Sequence, residues 1–133
     1  MMQQLIKDLY LTNRALVSEG YDRALQYISD RELNLTVREY ASGTEVWNSW
    51  VVPQKWTVDH AYIETADGER ILSFDEHPLH LFAYSSSYEG WIDHEELVDR
   101  IRTHPEMDDA IPYHFRLSYR PWDSDWGFCA SQN

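Results

Sequence analysis

Six histidines, many paired carboxylates, one cysteine and six tryptophans are the residues of this 133-residue chain whose types could do chemistry. The best histidine grouping is His77-Pro78-Leu79-His80 with His60, on a neighbouring predicted strand, as a zinc-like set. Its spacing argues against a metal. Pro78 prevents a helical two-histidine face, and on a strand it is alternate residues that point together, not residues three apart. Asp75/Glu76, Glu95/Glu96, Asp108/Asp109 and Asp123/Asp125 are adjacent or alternate acids. An acid/base pair needs environments that separate the two pKa values, whereas neighbouring acids in polar stretches share a solvated one. Asp123 and Asp125 stand apart because they interleave with Trp122 and Trp126, although a turn explains them too. Ser85-Ser86-Ser87 lacks the glycine setting of a nucleophile elbow, and the glycines form no phosphate loop. The lone Cys129 reads as a packed thiol and rules out an internal disulfide. No catalytic residue and no metal ligand is assigned.

Five of the tryptophans fall in two blocks: Trp47, Trp50 and Trp56 around Pro53, then Trp122 and Trp126 leading into Gly127-Phe128-Cys129. Indoles bury much area yet need a partner for N–H, so they concentrate where a fold or a binding surface is strongly specified. Trp47, Trp50, Trp56, Trp122 and Trp126 are therefore the candidate binding surface, as a stacking platform for sugar or peptide. Core packing is the reading that their Pro and Gly neighbours favour.

The elements that must position these residues follow from periodicity. Helical spacing over 3 to 17 (Leu5, Ile6, Leu9, Tyr10, Leu16), repeated by Tyr21, Ala24, Leu25 and Ile28 after Gly20, predicts two helices. Leu33, Leu35 and Val37 alternate with polar residues and predict a strand. Further strands are expected over 44–52 and 55–64, split by Pro53, and Asp67-Gly68 predicts a hairpin into 69–74. Residues 79–84 and 113–119 supply two more. A helix over about 93–104 has Asp93 as N-cap, Glu96 completing a capping box, Ile92 against Leu97 as a staple, and Pro105 as its stop. The expected fold is α+β: two N-terminal helices, a mainly antiparallel sheet of about five to six strands, and one helix packed on it.

Composition sets the outer limits. The length suits one domain, and 43 % hydrophobic with 26 % charged residues is a globular balance. A net charge of −12 opposes binding to nucleic acid or anionic lipid. No apolar run approaches the roughly 20 residues of a membrane span and the start is unlike a signal peptide, so a cytoplasmic location is expected.

In order, Leu9-Tyr10, Asn13-Arg14, Ser42-Gly43-Thr44, Trp47-x-x-Trp50-x-x-Pro53-x-x-Trp56, Ala61-Tyr62-Ile63, Asp67-Gly68, Leu79 to Tyr84-Ser85, Glu96-Leu97, His104-Pro105, Ala110-Ile111-Pro112-Tyr113, Ser118-Tyr119 and Trp126-Gly127-Phe128-Cys129 make an extended pattern. It resembles the N-terminal region of bacterial and archaeal zinc aminopeptidase-like proteins, often named as polysaccharide biosynthesis proteins, that carry an inserted β-rich domain of unknown function. The resemblance implies that residues 1–43 are the opening helices and first strand of an aminopeptidase-like body, and that 44–133 are the inserted domain. It implies zinc in the full-length parent, whose His, Asp and Glu ligands lie downstream of the Trp-Gly-Phe-Cys element. None of those ligands carries over to this chain, so no cofactor is assigned to it and it is not expected to hydrolyse peptides alone. The implied partner is the rest of that polypeptide, with a homo-oligomer open through the parent. The expected role is to shape substrate access or a subunit interface. The alternative is a free-standing module binding carbohydrate or peptide through its aromatic residues. If the helices have lost their natural cover, they should expose an apolar stripe or dock on the sheet non-natively.

Overall fold

The computed structural model describes residues 2–31, 35–115 and 122–133. They fall into two compact units, Met1–Thr57 and Val58–Asn133.

Unit 1 opens with α1 (Met2–Leu9) and α2 (Glu19–Ser29). The first helix is much shorter than its apolar periodicity suggested, because polar groups stop it early. Thr12 N–H and the Arg14 guanidinium both take up the Leu9 carbonyl, and the Asn13 side chain accepts the Ala15 N–H at 3.1 Å. Ser18 then caps α2, accepting the Tyr21 N–H at 3.2 Å while donating to the Ala15 carbonyl at 2.8 Å. Gly20 lies inside the first turn of α2, not before it. A Cβ there would stand 1.8 Å from the Asn13 carbonyl oxygen, so this close approach requires glycine. Tyr27 donates to the Asp8 carboxylate, tying α2 to α1, and the Arg31 guanidinium lies 3.4 Å from the Tyr27 ring centroid.

The predicted strand around Leu35 and Val37 is absent over the described 35–40, where both side chains are exposed, and Leu33 lies outside the described residues. Alternation alone cannot hold an extended segment, and no ladder partner for it lies among the described residues. The expected single strand over 44–52 is instead a hairpin of β1 (Glu45–Val46) and β2 (Trp50–Val51), paired Glu45 to Val51 and Val46 to Trp50. Trp47 (φ 54) and Asn48 (φ 58) turn it in the left-handed region, an uncommon conformation for a bulky side chain. Val52 follows β2 into the small core of unit 1 with Ala15 and Ala24. Ser42 Oγ donates to the Pro53 carbonyl at 2.8 Å, and Trp56 N–H to the Val17 carbonyl at 2.9 Å, closing the hairpin onto the helical segment.

In unit 2 the Asp67-Gly68 turn forms as predicted. It joins β3 (Ile63–Glu64) to β4 (Arg70–Ile71), with Gly68 at φ 83. Within the predicted strand 79–84, Pro78–His80 makes a 3-10 turn capped by the His77 side chain. Leu81 then bridges Phe128 and Ala83 bridges Phe115. Helix α3 (His94–Asp99) starts at Asp93 as expected, its carboxylate accepting the Glu96 N–H at 2.8 Å. Glu96 does not close the box but turns to Arg100. The helix ends well before Pro105, because β5 (Ile101–Arg102) leaves it to pair in parallel with β6 (Phe128–Cys129).

The expected five- to six-stranded sheet is not formed among the described residues, which hold three separate two-stranded ladders, two antiparallel and one parallel. The α+β character holds. Of the predicted strand 113–119, residues 116–119 lie outside the described set. The core of unit 2 gathers where β6 runs between two segments. Phe82 N–H donates to the Gly127 carbonyl, and Phe128 N–H to the Arg100 carbonyl, both at 2.9 Å. Phe82, Ala83, Phe128 and Cys129 are buried there. Gly127 permits it, since a Cβ would lie 2.3 Å from the Phe82 ring and 2.6 Å from the Arg100 oxygen. No helix among the described residues is long and apolar enough to cross a membrane.

Candidate functional site

Among the described residues of unit 2, an aromatic cluster is built on Trp126. Tyr88 stacks on its indole at 4.5 Å with planes 21° apart, and Phe128 meets it edge-on at 6.3 Å. The Arg100 guanidinium lies 4.3 Å from the indole centroid. Arg100 is fixed further by Glu96 (3.1 Å), the Trp126 carbonyl (3.3 Å) and Asp125 (3.7 Å). A planar guanidinium suits such simultaneous stacking and bridging. Beside this latch is a cleft of about 230 Å³ lined by Phe82, Glu96, Asp99, Arg100, Arg102, Asp125 and Trp126. Arg102 donates to the Asp99 and Ile101 carbonyls, so both arginines at the cleft are engaged with the protein.

The five tryptophans of the candidate surface take different places. Trp47 projects from the hairpin tip, 87 % exposed, and Trp122 is 76 % exposed, whereas Trp50 and Trp56 are half-buried. Trp126 is half-buried between Tyr88 and Arg100, which occupy the ring a sugar would need. Trp47, Trp50 and Trp56 belong to unit 1 and Trp122 and Trp126 to unit 2. The sixth, Trp91, outside both sequence blocks, is 89 % exposed.

His77 and His80 come near each other, with ring centroids 6.0 Å apart, but each spends Nδ1 on the backbone. His77 accepts the Leu79 N–H at 3.1 Å, and His80 Nδ1 bonds the Cys129 carbonyl at 2.8 Å. His60 instead lies against Tyr62, with ring centroids 6.0 Å apart. Among the described residues no three His, Cys, Asp or Glu side chains converge to hold a metal ion, so the donors present do not fit a zinc site. Cys129 is fully buried, and burial pushes its thiol up to about 11 against weaker opposite pulls from Arg102 and the His114 backbone. It is a packed thiol rather than a nucleophile.

Residues 55–133, more than half of the chain, match the model of the domain of unknown function DUF2172. The chain belongs to this family. Apart from that DUF2172 match, the chain is 32 % identical over 129 residues to a Clostridium acetobutylicum protein provisionally named a polysaccharide biosynthesis protein with an aminopeptidase-like domain. That alignment takes in 97 % of this chain and 28 % of the relative. A crystal structure from the same organism, provisionally named a peptidase, superposes on 98 % of the chain with a TM-score of 0.84 at 30 % identity, again through 29 % of its own length. The DUF2172 chain thus spans less than a third of the length of the relatives it matches.

Proposed function

We propose that this DUF2172 chain works as a non-catalytic accessory region of an aminopeptidase-like protein, where it shapes substrate access or a subunit interface. The observation that carries this reading is the near-complete match of the chain to less than a third of a peptidase-named structure. The donor set points the same way, since the described residues supply no converging metal ligands and the one thiol is buried. In this reading zinc belongs to the parent and is held outside these residues. Residues 1–43 serve as part of the aminopeptidase-like body and 44–133 as the inserted domain, and any homo-oligomer forms through the parent. The apolar side of α1 supports a covered role for unit 1, because Met2 and Ile6 are 70 % and 59 % exposed and none of the helix is buried.

Two assays test the reading together. The purified chain should release no amino acid from aminoacyl anilides with or without added zinc. Deleting from the Clostridium relative only the part that matches residues 44–133 should change its relative rates on short and long peptides, or its oligomeric state. Zinc-stimulated hydrolysis by the chain alone, or a deletion that leaves both selectivity and oligomeric state unchanged, would overturn it. The second reading, a free-standing carbohydrate- or peptide-binding module, draws on the exposure of Trp47 and Trp122. Sugar-induced quenching lost in Trp47→Ala or Trp122→Ala would favour it.

A further inference from the structure

The acidity of this chain is unevenly placed. Residues 1–57 hold seven acidic and six basic side chains, whereas residues 58–133 hold sixteen and five. The three arginines among the described residues of unit 2 are already engaged. Arg70 is on Glu64 and the Tyr62 ring, Arg100 is in the Trp126 latch, and Arg102 is on backbone carbonyls. The stretch from Tyr88 to Asp99 contains Glu89, Asp93, Glu95, Glu96 and Asp99 and no lysine or arginine. All five acids are exposed, and Arg100 neutralises only Glu96 among them.

In the middle of this stretch stands Trp91, 89 % exposed. Acidic residues alone would keep such a loop soluble, and an indole left in water adds nothing to that. The loop is also held in place. Tyr88 Oη donates to the Trp91 carbonyl at 3.2 Å, and the Tyr88 ring is stacked on Trp126, which Arg100 secures. An indole attracts ammonium and guanidinium groups to its face, and carboxylates within a Debye length add to that attraction.

We propose that the exposed Trp91 of unit 2, with Glu89 and Asp93 beside it in sequence and Glu95 and Asp99 on the helix that follows, docks lysine- or arginine-bearing segments of peptide substrates. This rests on the reading of the region as one that shapes substrate access, and it names the class of substrate favoured. A cationic side chain lies over the Trp91 indole while its neighbours pair with the carboxylates. Like charge turns acidic peptides away.

Fluorescence anisotropy of dye-labelled peptides on the full 133-residue chain tests this. A short alternating Lys-Ala peptide should bind, more weakly as salt is raised, and its Glu-Ala counterpart should not. Trp91→Ala should weaken the Lys-Ala peptide about three- to tenfold, with Trp91→Phe recovering part of the loss. Because the side chain is exposed, an unchanged circular dichroism spectrum is expected for both variants. Neutralising Asp67 and Glu69 on the distant-in-sequence β3–β4 turn, as Asp67→Asn and Glu69→Gln, should leave binding unchanged. Equal binding of both peptides, wild-type binding by Trp91→Ala, or an equal loss on neutralising the turn would overturn the proposal. Those outcomes leave the access reading standing, since that reading is decided by deletion in the relative.

Discussion

His77, His80 and His104 show how much a ring nitrogen's partner decides. His77 Nδ1 accepts the Leu79 N–H, and His104 Nδ1 accepts from Glu106 and Met107 N–H, each at 3.1 Å. The His77 ring must therefore be neutral with the proton on Nε2, whereas His80 must carry Nδ1–H to donate to the Cys129 carbonyl. Nitrogen chemical shifts should report an unprotonated Nδ1 in His77 and a protonated Nδ1 in His80. Protonating His77 turns its acceptor into a donor and breaks the cap of the 3-10 turn. Burial first, and the neighbouring His80 second, hold the His77 pKa below its ordinary value. The unfolded chain then binds that proton more readily, so the contribution is complete above the ordinary histidine pKa of about 6.5 and is lost as pH falls through the lower folded value. A urea midpoint that declines between neutral and mildly acid pH in the wild type, with a smaller decline in His77→Asn, is the expected result. Asn can accept the Leu79 N–H without titrating. These three roles were not readable from sequence. There His77 and His80 could only be grouped by spacing with His60 as metal candidates, and His104 stood out only beside Pro105, whereas each partner is a backbone atom placed by the turn.

At the scale of elements, what was legible was local. Asp67-Gly68 specifies its hairpin through one left-handed glycine, and Asp93 specifies the start of α3 through a single side-chain acceptor. What was not legible depended on distant partners. Strands of two residues carry almost no alternation to detect, and the left-handed residues Trp47, Asn48, Leu72 and Tyr84 interrupt extended runs without a glycine to announce it. The tryptophan blocks are visible as blocks, but Trp126 acquires its meaning from Arg100, 26 residues earlier, and Trp91 carries no block signal because no second tryptophan lies near it in sequence. The latch joins α3 to the β6 segment, so its loss should be felt by both. Arg100→Ala removes the Glu96 and Asp125 pairs, the bond to the Trp126 carbonyl and the stack on the indole. Urea unfolding should show a loss of about 1–3 kcal/mol. Arg100→Lys should recover only part, since an ammonium cannot bridge and stack at once. Arg70→Ala, which loses a largely exposed pair with Glu64 and the contact with the Tyr62 ring, should cost no more than about 0.5–1 kcal/mol. If the two alanine variants cost the same, Arg100 is not a latch.

For the whole molecule, the placement of apolar surface bears most directly on the accessory role. The sequence anticipated helices with an uncovered stripe, and α1 carries Met2, Ile6 and, just past its end, Tyr10 exposed at intervals of four residues. That spacing returns a side chain to nearly the same face at each turn, so these residues form a row rather than scattered exposures. A row of this kind has two physical explanations, and they predict opposite results. If it is a surface that a partner covers, Met2→Ser with Ile6→Ser removes no buried contact, and the unfolding free energy of the chain should move by less than about 0.5 kcal/mol. The same variant should bind less of a hydrophobic dye and show weaker concentration-dependent association by sedimentation. If the row instead contributes to the fold, the double change should cost about 2 kcal/mol or more, as deletions of packed side chains do. The exposure of both residues and the absence of any buried position in α1 favour the first outcome. The Asp8 to Tyr27 bond gives α1 a polar tether to α2 that does not depend on the stripe. Stability held constant while association falls would leave the apolar face free for a partner to cover, as the proposed accessory role requires.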